Sequence, residues 1–190
     1  MRGEQNGGWT PAQRRLHWWN AALVLLTFVV AWVMVAVPKE QLLEKFLLYQ
    51  LHKNLGLFAL AMLLGRLVLR LRRGRPPWDA ALRPWQRRAA ATMHMLLYVL
   101  LATVPALGYL TAASAPVNVP TLLLGVVPVP HVIGPDAAWF AAVRPLHRTA
   151  ALALVTLACL HALAALHNAL RRRRRERFPG TSANRAEAME

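Results

Sequence analysis

The chain has 190 residues, the length of one domain, of which 56% are hydrophobic and only 16% charged, with a net charge of +15. The charges are clustered, so long stretches carry none, and a soluble protein of this size has no core able to hide four such stretches. The basic residues sit at the ends of apolar runs rather than on a polar, foldable surface, which argues against nucleic acid as a partner and for a lipid bilayer.

Residues 1–15 are polar and contain Pro11, so they do not read as a cleavable signal. Thr10-Pro11-Ala12-Gln13 reads as a capping box with proline at the first helical position. Four apolar runs follow, roughly Leu16 to Val37, Phe46 to Leu69, Ala89 to Ala112 and Leu146 to Leu170. Each supplies the ~20 apolar residues that a transmembrane helix needs. No barrel-like alternation appears, so helices must satisfy the backbone in lipid. The expected fold is all-α, an integral membrane four-helix bundle over residues 1–175, with a polar cytoplasmic tail at 176–190. Pro105 falls inside the third run and predicts a kink. Residues 114–144 read as a long Pro/Val/Gly-rich connection with a short surface helix from Asp136 to Val143, after which Pro145 opens the fourth run.

Seventeen basic residues fall in the N-terminal tail (Arg2, Arg14, Arg15), between runs two and three, and in the C-terminal tail from Arg171 through Arg177 to Arg185. Five lie on the other side: Lys39, Lys45, Lys53, Arg144 and Arg148. That bias places both termini in the cytoplasm of a multi-pass plasma-membrane (bacterial inner-membrane) protein. The single cysteine, Cys159, lies in an apolar run and excludes a disulfide framework. Its expected role is that of a small packing residue, and the Cys-x-x-Cys-His of covalent haem attachment is absent.

Six of the seven histidines lie in or at the edges of the apolar runs, where ionisable groups are costly and mark function. His147 and His161 are 14 residues apart, which places them within about 40° around one helix and about 21 Å apart along it. One helix face thus presents two imidazoles, one near each membrane surface, as ligation of two stacked haems requires. Matching depths pair His17 with His161 near the cytoplasmic side, and His52 with His147 near the outer side. A haem held on both faces has no open iron position, which favours electron transfer over oxygen binding.

His94 and His167 are not needed as axial ligands; they can hydrogen-bond a propionate or a quinone carbonyl, or serve as plain interfacial residues. His131, in the connection, receives no role. Arg66 and Arg70 share a helix face at i, i+4, and Arg66 is deep enough to want a carboxylate or phosphate. Arg148 beside His147, Arg15 near His17 and Lys53 beside His52 are further candidates for propionate, quinone or anion contacts, with simple interface anchoring as the alternative.

Several segments resemble the bacterial cytochrome b561 family of four-helix di-haem proteins. They are Arg15-Leu16-His17-Trp18, Leu51-His52-Lys53-Asn54-Leu55-Gly56, Gly65-Arg66-Leu67-Val68-Leu69-Arg70-Leu71 with Pro76-Pro77, His94-Met95-Leu96-Leu97-Tyr98, Pro105-Ala106-Leu107-Gly108, Leu146-His147 and Leu160-His161. The likeness covers nearly all of residues 10–170. It implies that His17, His52, His147 and His161 are the axial ligands of two haem b groups per chain, and that the protein moves electrons from a donor to the quinone pool. Some members of the family look like superoxide oxidases, taking an electron from superoxide at the outer face and reducing ubiquinone. Related b-type subunits instead anchor a dehydrogenase or hydrogenase and exchange electrons with quinone.

The first expectation is therefore a superoxide:ubiquinone oxidoreductase. Its outer side carries Lys39, Lys45, Lys53, Arg144 and Arg148 against Glu40, Glu44 and Asp136, a small positive balance suited to an anion. The alternative is a membrane-anchor cytochrome b subunit docked to a dehydrogenase or hydrogenase. A transporter ranks last, because no inverted repeat or pair of broken helices is visible.

Overall fold

The computed structural model describes residues 8–78, 82–117 and 119–177. Arg2 and Arg185 of the charge pattern, and the tail from 178 onward, lie outside the described residues. Among these, four helices are long and apolar enough to cross a membrane. They are α1 (Pro11–Ala36), α2 (Leu42–Arg73), α3 (Pro84–Ser114) and α4 (Ala137–Arg177). Each extends beyond its apolar run, because basic residues continue a helix into the interface with their charged tips in water. The chain divides into two compact units, Met1–Val155 and Thr156–Glu190. The first holds α1 to α3, the connection and the start of α4; the second is helical through Arg177.

α1 starts as its sequence predicts. The Thr10 hydroxyl accepts from the Gln13 backbone N–H, the Gln13 side chain accepts from the Thr10 N–H, and Pro11 opens the helix. The Gln13 amide also donates to the Gly74 carbonyl at 3.2 Å. That contact ties the first turn of α1 to the last of α2, whose cap residue Gly74 has φ +70°, a conformation that favours glycine. Further along, buried Asn20 donates to the Ala59 carbonyl at 2.9 Å, and the Thr27 carbonyl lies beside His52. Each step up α1 is thus a step down α2, and this antiparallel register brings His17 level with the turn Met62–Gly65. Leu55, Ala59 and Leu63, at i, i+4 and i+8, form the buried stripe of α2. Large side chains such as Trp18, Trp32, Leu43 and Leu71 are exposed, as suits a surface facing lipid tails.

Two expectations are corrected. Pro145 does not open a helix: α4 runs unbroken from Ala137, and Pro145 lies inside it, so the short surface helix Asp136–Val143 is the first part of α4. The start is set upstream by Asp136, whose carboxylate accepts from the N–H groups of Ala138 and Trp139. The connection is consequently shorter, and it is not structureless. It carries an antiparallel hairpin of β1 (Thr121–Leu123) and β2 (Val127–Val129). Three residues, Leu124–Val126, join the strands; Leu124 (φ +55°) and Gly125 (φ +80°) are left-handed, and Val126 N–H donates to the Leu123 carbonyl.

The outer edge of β1 pairs with side chains instead of another strand. Gln50 donates to the Pro120 carbonyl and accepts from the Leu122 N–H. One turn on, Asn54 donates to the Leu122 carbonyl and accepts from the Leu124 N–H. Two amides at i, i+4 on α2 act as a short surrogate strand and cover an edge that would otherwise be open. Lys53 on the same face donates to the Val119 carbonyl. On the α3 side, the Tyr109 hydroxyl donates to the Pro130 carbonyl and accepts from the Val132 N–H.

Candidate functional site: an imidazole pair at the hairpin end

The structure brings two of the candidate histidines together. His52 of α2 and His147 of α4, both in the first unit, have ring centroids 6.2 Å apart and planes 80° to one another. Each ring is held from behind by a helix backbone. His52 Nδ1 donates to the Thr27 carbonyl at 3.2 Å and His147 Nδ1 donates to the Val104 carbonyl at 3.0 Å. A carbonyl oxygen can only accept, so both rings carry their proton on Nδ1 and keep the Nε2 lone pair for another partner. A backbone carbonyl on the rear nitrogen is the usual support of a metal-ligating histidine: it fixes the tautomer and the ring direction.

The Val104 carbonyl is reachable because of one missing side chain. Gly108 lies one helical turn after Val104, and a Cβ built on it would stand 3.0 Å from His147 Cε1 and 3.3 Å from Nδ1. Glycine in a helix interior costs about 1 kcal/mol relative to alanine; here it opens the slot that the imidazole fills.

The pair can be tested against iron. Metal–imidazole bonds of about 2 Å, with each ring centre about 1 Å behind its nitrogen, put the centroids of two axial ligands about 6 Å apart. The observed spacing fits. Among the described residues no group of three or more His, Cys, Asp or Glu side chains gathers into a metal site, so a four-coordinate zinc centre is not formed. Two imidazoles alone suit a planar group that supplies its own equatorial nitrogens.

Among the remaining candidates, His17 is half-buried on α1, edge-on to Trp18 at 5.4 Å. His161 is half-buried and His167 exposed, both in the second unit. His94 is half-buried on α3. Arg66 and Arg70, also half-buried, both lie over the ring of Tyr98 of α3, with guanidinium carbons 5.3 and 5.4 Å from its centre. Such contacts contribute about 0.5–2 kcal/mol, more where water is excluded. Of the hairpin-end cations, Lys53 is half-buried on Val119, Arg148 is exposed, Lys45 donates to the Val37 carbonyl and Arg144 lies over Phe140.

Sequence reasoning left Gln50, Asn54, Tyr98, Gly108 and His131 without roles. His131 Nε2 lies 3.3 Å from the Thr121 hydroxyl, and its ring is edge-on to Tyr109 at 6.1 Å. It borders a cavity of about 380 Å³ with Pro120, Val129, Val132, Ile133 and Gly134. Burial first, and the Lys53 ammonium second, hold the His131 imidazole below its ordinary pKa. Only Gly108 left a sequence signal, a glycine inside an apolar helix three residues after a proline.

The family model described as prokaryotic cytochrome b561 matches residues 8–177. A relative from Escherichia coli (strain K12), Cytochrome b561 homolog 1, is 28% identical over 151 residues, covering 80% of this chain and 84% of the relative.

Proposed function

The chain belongs to the prokaryotic cytochrome b561 family, and from that premise we propose that it is a di-haem superoxide:ubiquinone oxidoreductase. Membership makes it a multi-pass membrane cytochrome that binds haem b and transfers electrons. The finer reading assigns one haem to His52 and His147 and a second to His17 and His161. It also makes superoxide the donor and ubiquinone the acceptor. The observation that carries it is the imidazole pair, whose spacing and rear carbonyls suit axial ligation from both faces. A haem held between the His52 and His147 imidazoles would supply a one-electron carrier. Thr27 and Val104 orient the imidazoles, and the apolar stripe around Leu55 and Leu63 excludes water.

In this reading both termini lie in the cytoplasm and the hairpin faces outward. Electrons enter at the hairpin end, where Lys53 and Arg148 follow His52 and His147 directly in the chain and attract the anion. Two superoxide ions give up one electron each and leave as dioxygen. Ubiquinone takes both electrons and two protons to form ubiquinol at the arginine-rich end, where His94 and His167 are the candidate proton donors. The test is rapid mixing of the purified protein with superoxide, following haem reduction, and then adding ubiquinone. Fast reduction, slowed roughly tenfold in Lys53→Glu or Arg148→Glu at intact haem content, is the expected result. No reduction by superoxide in the unaltered protein rejects this donor and favours a subunit that anchors a dehydrogenase or hydrogenase.

A further inference from the structure

Arg66 and Arg70 are the only basic residues on α2 whose guanidinium groups share one aromatic ring. Across α1, α2 and α3 the only acidic residue is Glu44, which stands 22 positions from Arg66 at the far end of α2. Among the described residues neither guanidinium has an ion pair; their partner is the Tyr98 ring. A ring face attracts the cation but offers its N–H donors no oxygen acceptor. Two guanidinium groups one helical turn apart against the same ring suit the oxygens of a carboxylate or a phosphate.

The position of the two groups is specific. Arg66 follows His52 by 14 residues, about 21 Å along α2 and within about 40° of the same face. The α1–α2 register set by Asn20 on Ala59 and Thr27 beside His52 places His17 within about one turn of Arg66. Arg70 lies one turn nearer the helix end, where headgroups begin.

We infer that Arg66 and Arg70, positioned by Tyr98, form an oxyanion clamp at the level of His17. The oxyanion is either the propionate carboxylate of a haem held at that level or the phosphate of a membrane phospholipid. The inference deepens the reading above, because the propionate source rests on a haem at His17. Tyr98 is a positioning residue: its ring holds both guanidinium groups in one place.

The experiment compares the purified protein with Arg66→Gln, Arg70→Gln, Tyr98→Leu and Tyr98→Phe variants at measured haem content. One readout is the midpoint potential of each haem by spectroelectrochemistry; the other is phospholipid retained per chain by mass spectrometry. If the oxyanion is a propionate, loss of either arginine lowers the potential of one haem, the one lost in His17→Ala, because the cation no longer opposes the ferric charge. If it is a lipid phosphate, retained phospholipid falls severalfold and both potentials stay. Tyr98→Leu reproduces whichever change occurs, and Tyr98→Phe, which keeps the ring, does not. Unchanged potentials and unchanged phospholipid in both arginine variants overturn the clamp; an unchanged Tyr98→Leu protein overturns the positioning role. Should Arg66→Gln fail to assemble, Arg66→Lys, which keeps the charge without the fork, and Arg70→Gln give the same two readouts. Neither readout involves superoxide or ubiquinone, so a failed donor assignment leaves the clamp testable. A wild-type protein with a single haem still reports on the phosphate arm.

Discussion

The two ends of α2 hold polar side chains in an apolar helix, and they satisfy them in opposite ways. At the hairpin end His52, Gln50, Asn54 and Lys53 all have partners within the protein. His52 rests on the Thr27 carbonyl, Gln50 and Asn54 pair with β1, and Lys53 donates to Val119. At the arginine-rich end the partner of Arg66 and Arg70 among the described residues is the Tyr98 ring. The first arrangement is organised before any ligand arrives, which lowers the entropic cost of binding one. The second is the place of the clamp inferred above. One membrane helix thus carries two differently partnered polar groups about 21 Å apart without a loop between them.

The largest expected effects break the comparison at its ligands. His52→Ala and His147→Ala should each remove the same haem, about half of the total if two are bound, while His17→Ala and His161→Ala remove the other. Haem quantification with low-temperature spectra of the four variants checks this. Lesions at His17 and His52 that converge on one centre would break the pairing by depth.

Next in size is the slot behind His147. In Gly108→Val the added side chain occupies the space of the imidazole, and the hairpin-end haem should be lost without loss of the other. In Gly108→Ala the ring, 3.0 Å from the new Cβ, has to give by a few tenths of an ångström. The haem should stay, with a shifted potential. Equal damage to both haems in Gly108→Val would indicate a general packing defect.

Much of this was legible in the sequence, and what was not has a physical reason. The spans follow from apolar runs, and the start of α1 from the Thr10–Gln13 box, because both are local signals. His52 and His147 could be paired by depth, since depth is a linear function of position in a helix. The hairpin could not be read, because its first strand pairs with Gln50 and Asn54, some 70 residues away, and its Pro-rich composition hides the alternation. Pro145 misled for a different reason: proline marks helix starts in water, whereas packed membrane helices tolerate it internally. Gly108 and Tyr98 acquire meaning only when His147, Arg66 and Arg70 are brought against them.

A smaller effect separates the hairpin from the haem pair. Removing both amides in Gln50→Ala/Asn54→Ala deletes four hydrogen bonds to residues 120–124. At about 0.5–1.5 kcal/mol each, stability should fall by roughly 2–6 kcal/mol. Limited proteolysis should cut the connection faster while haem spectra hold, because these residues face away from His52 on α2. A lost haem would show that the hairpin supports the iron site after all.

The smallest effect is one of pH. His131 holds its proton less tightly in the folded loop than at its ordinary value of 6.5. The folded loop thus binds fewer protons than the unfolded one. Its contribution is present above about pH 6.5 and is lost as pH falls below it. Amide exchange in residues 119–134 should accelerate modestly as pH drops through that range, after correction for intrinsic rates. His131→Gln should flatten the dependence.

The central claim is that paired imidazoles at two depths hold the haems, and haem content with spin state tests it most directly. Purified protein should contain two haem b per chain by pyridine haemochrome, both low-spin with two imidazole ligands by electron paramagnetic resonance. One haem, none, or a high-spin centre would contradict the account.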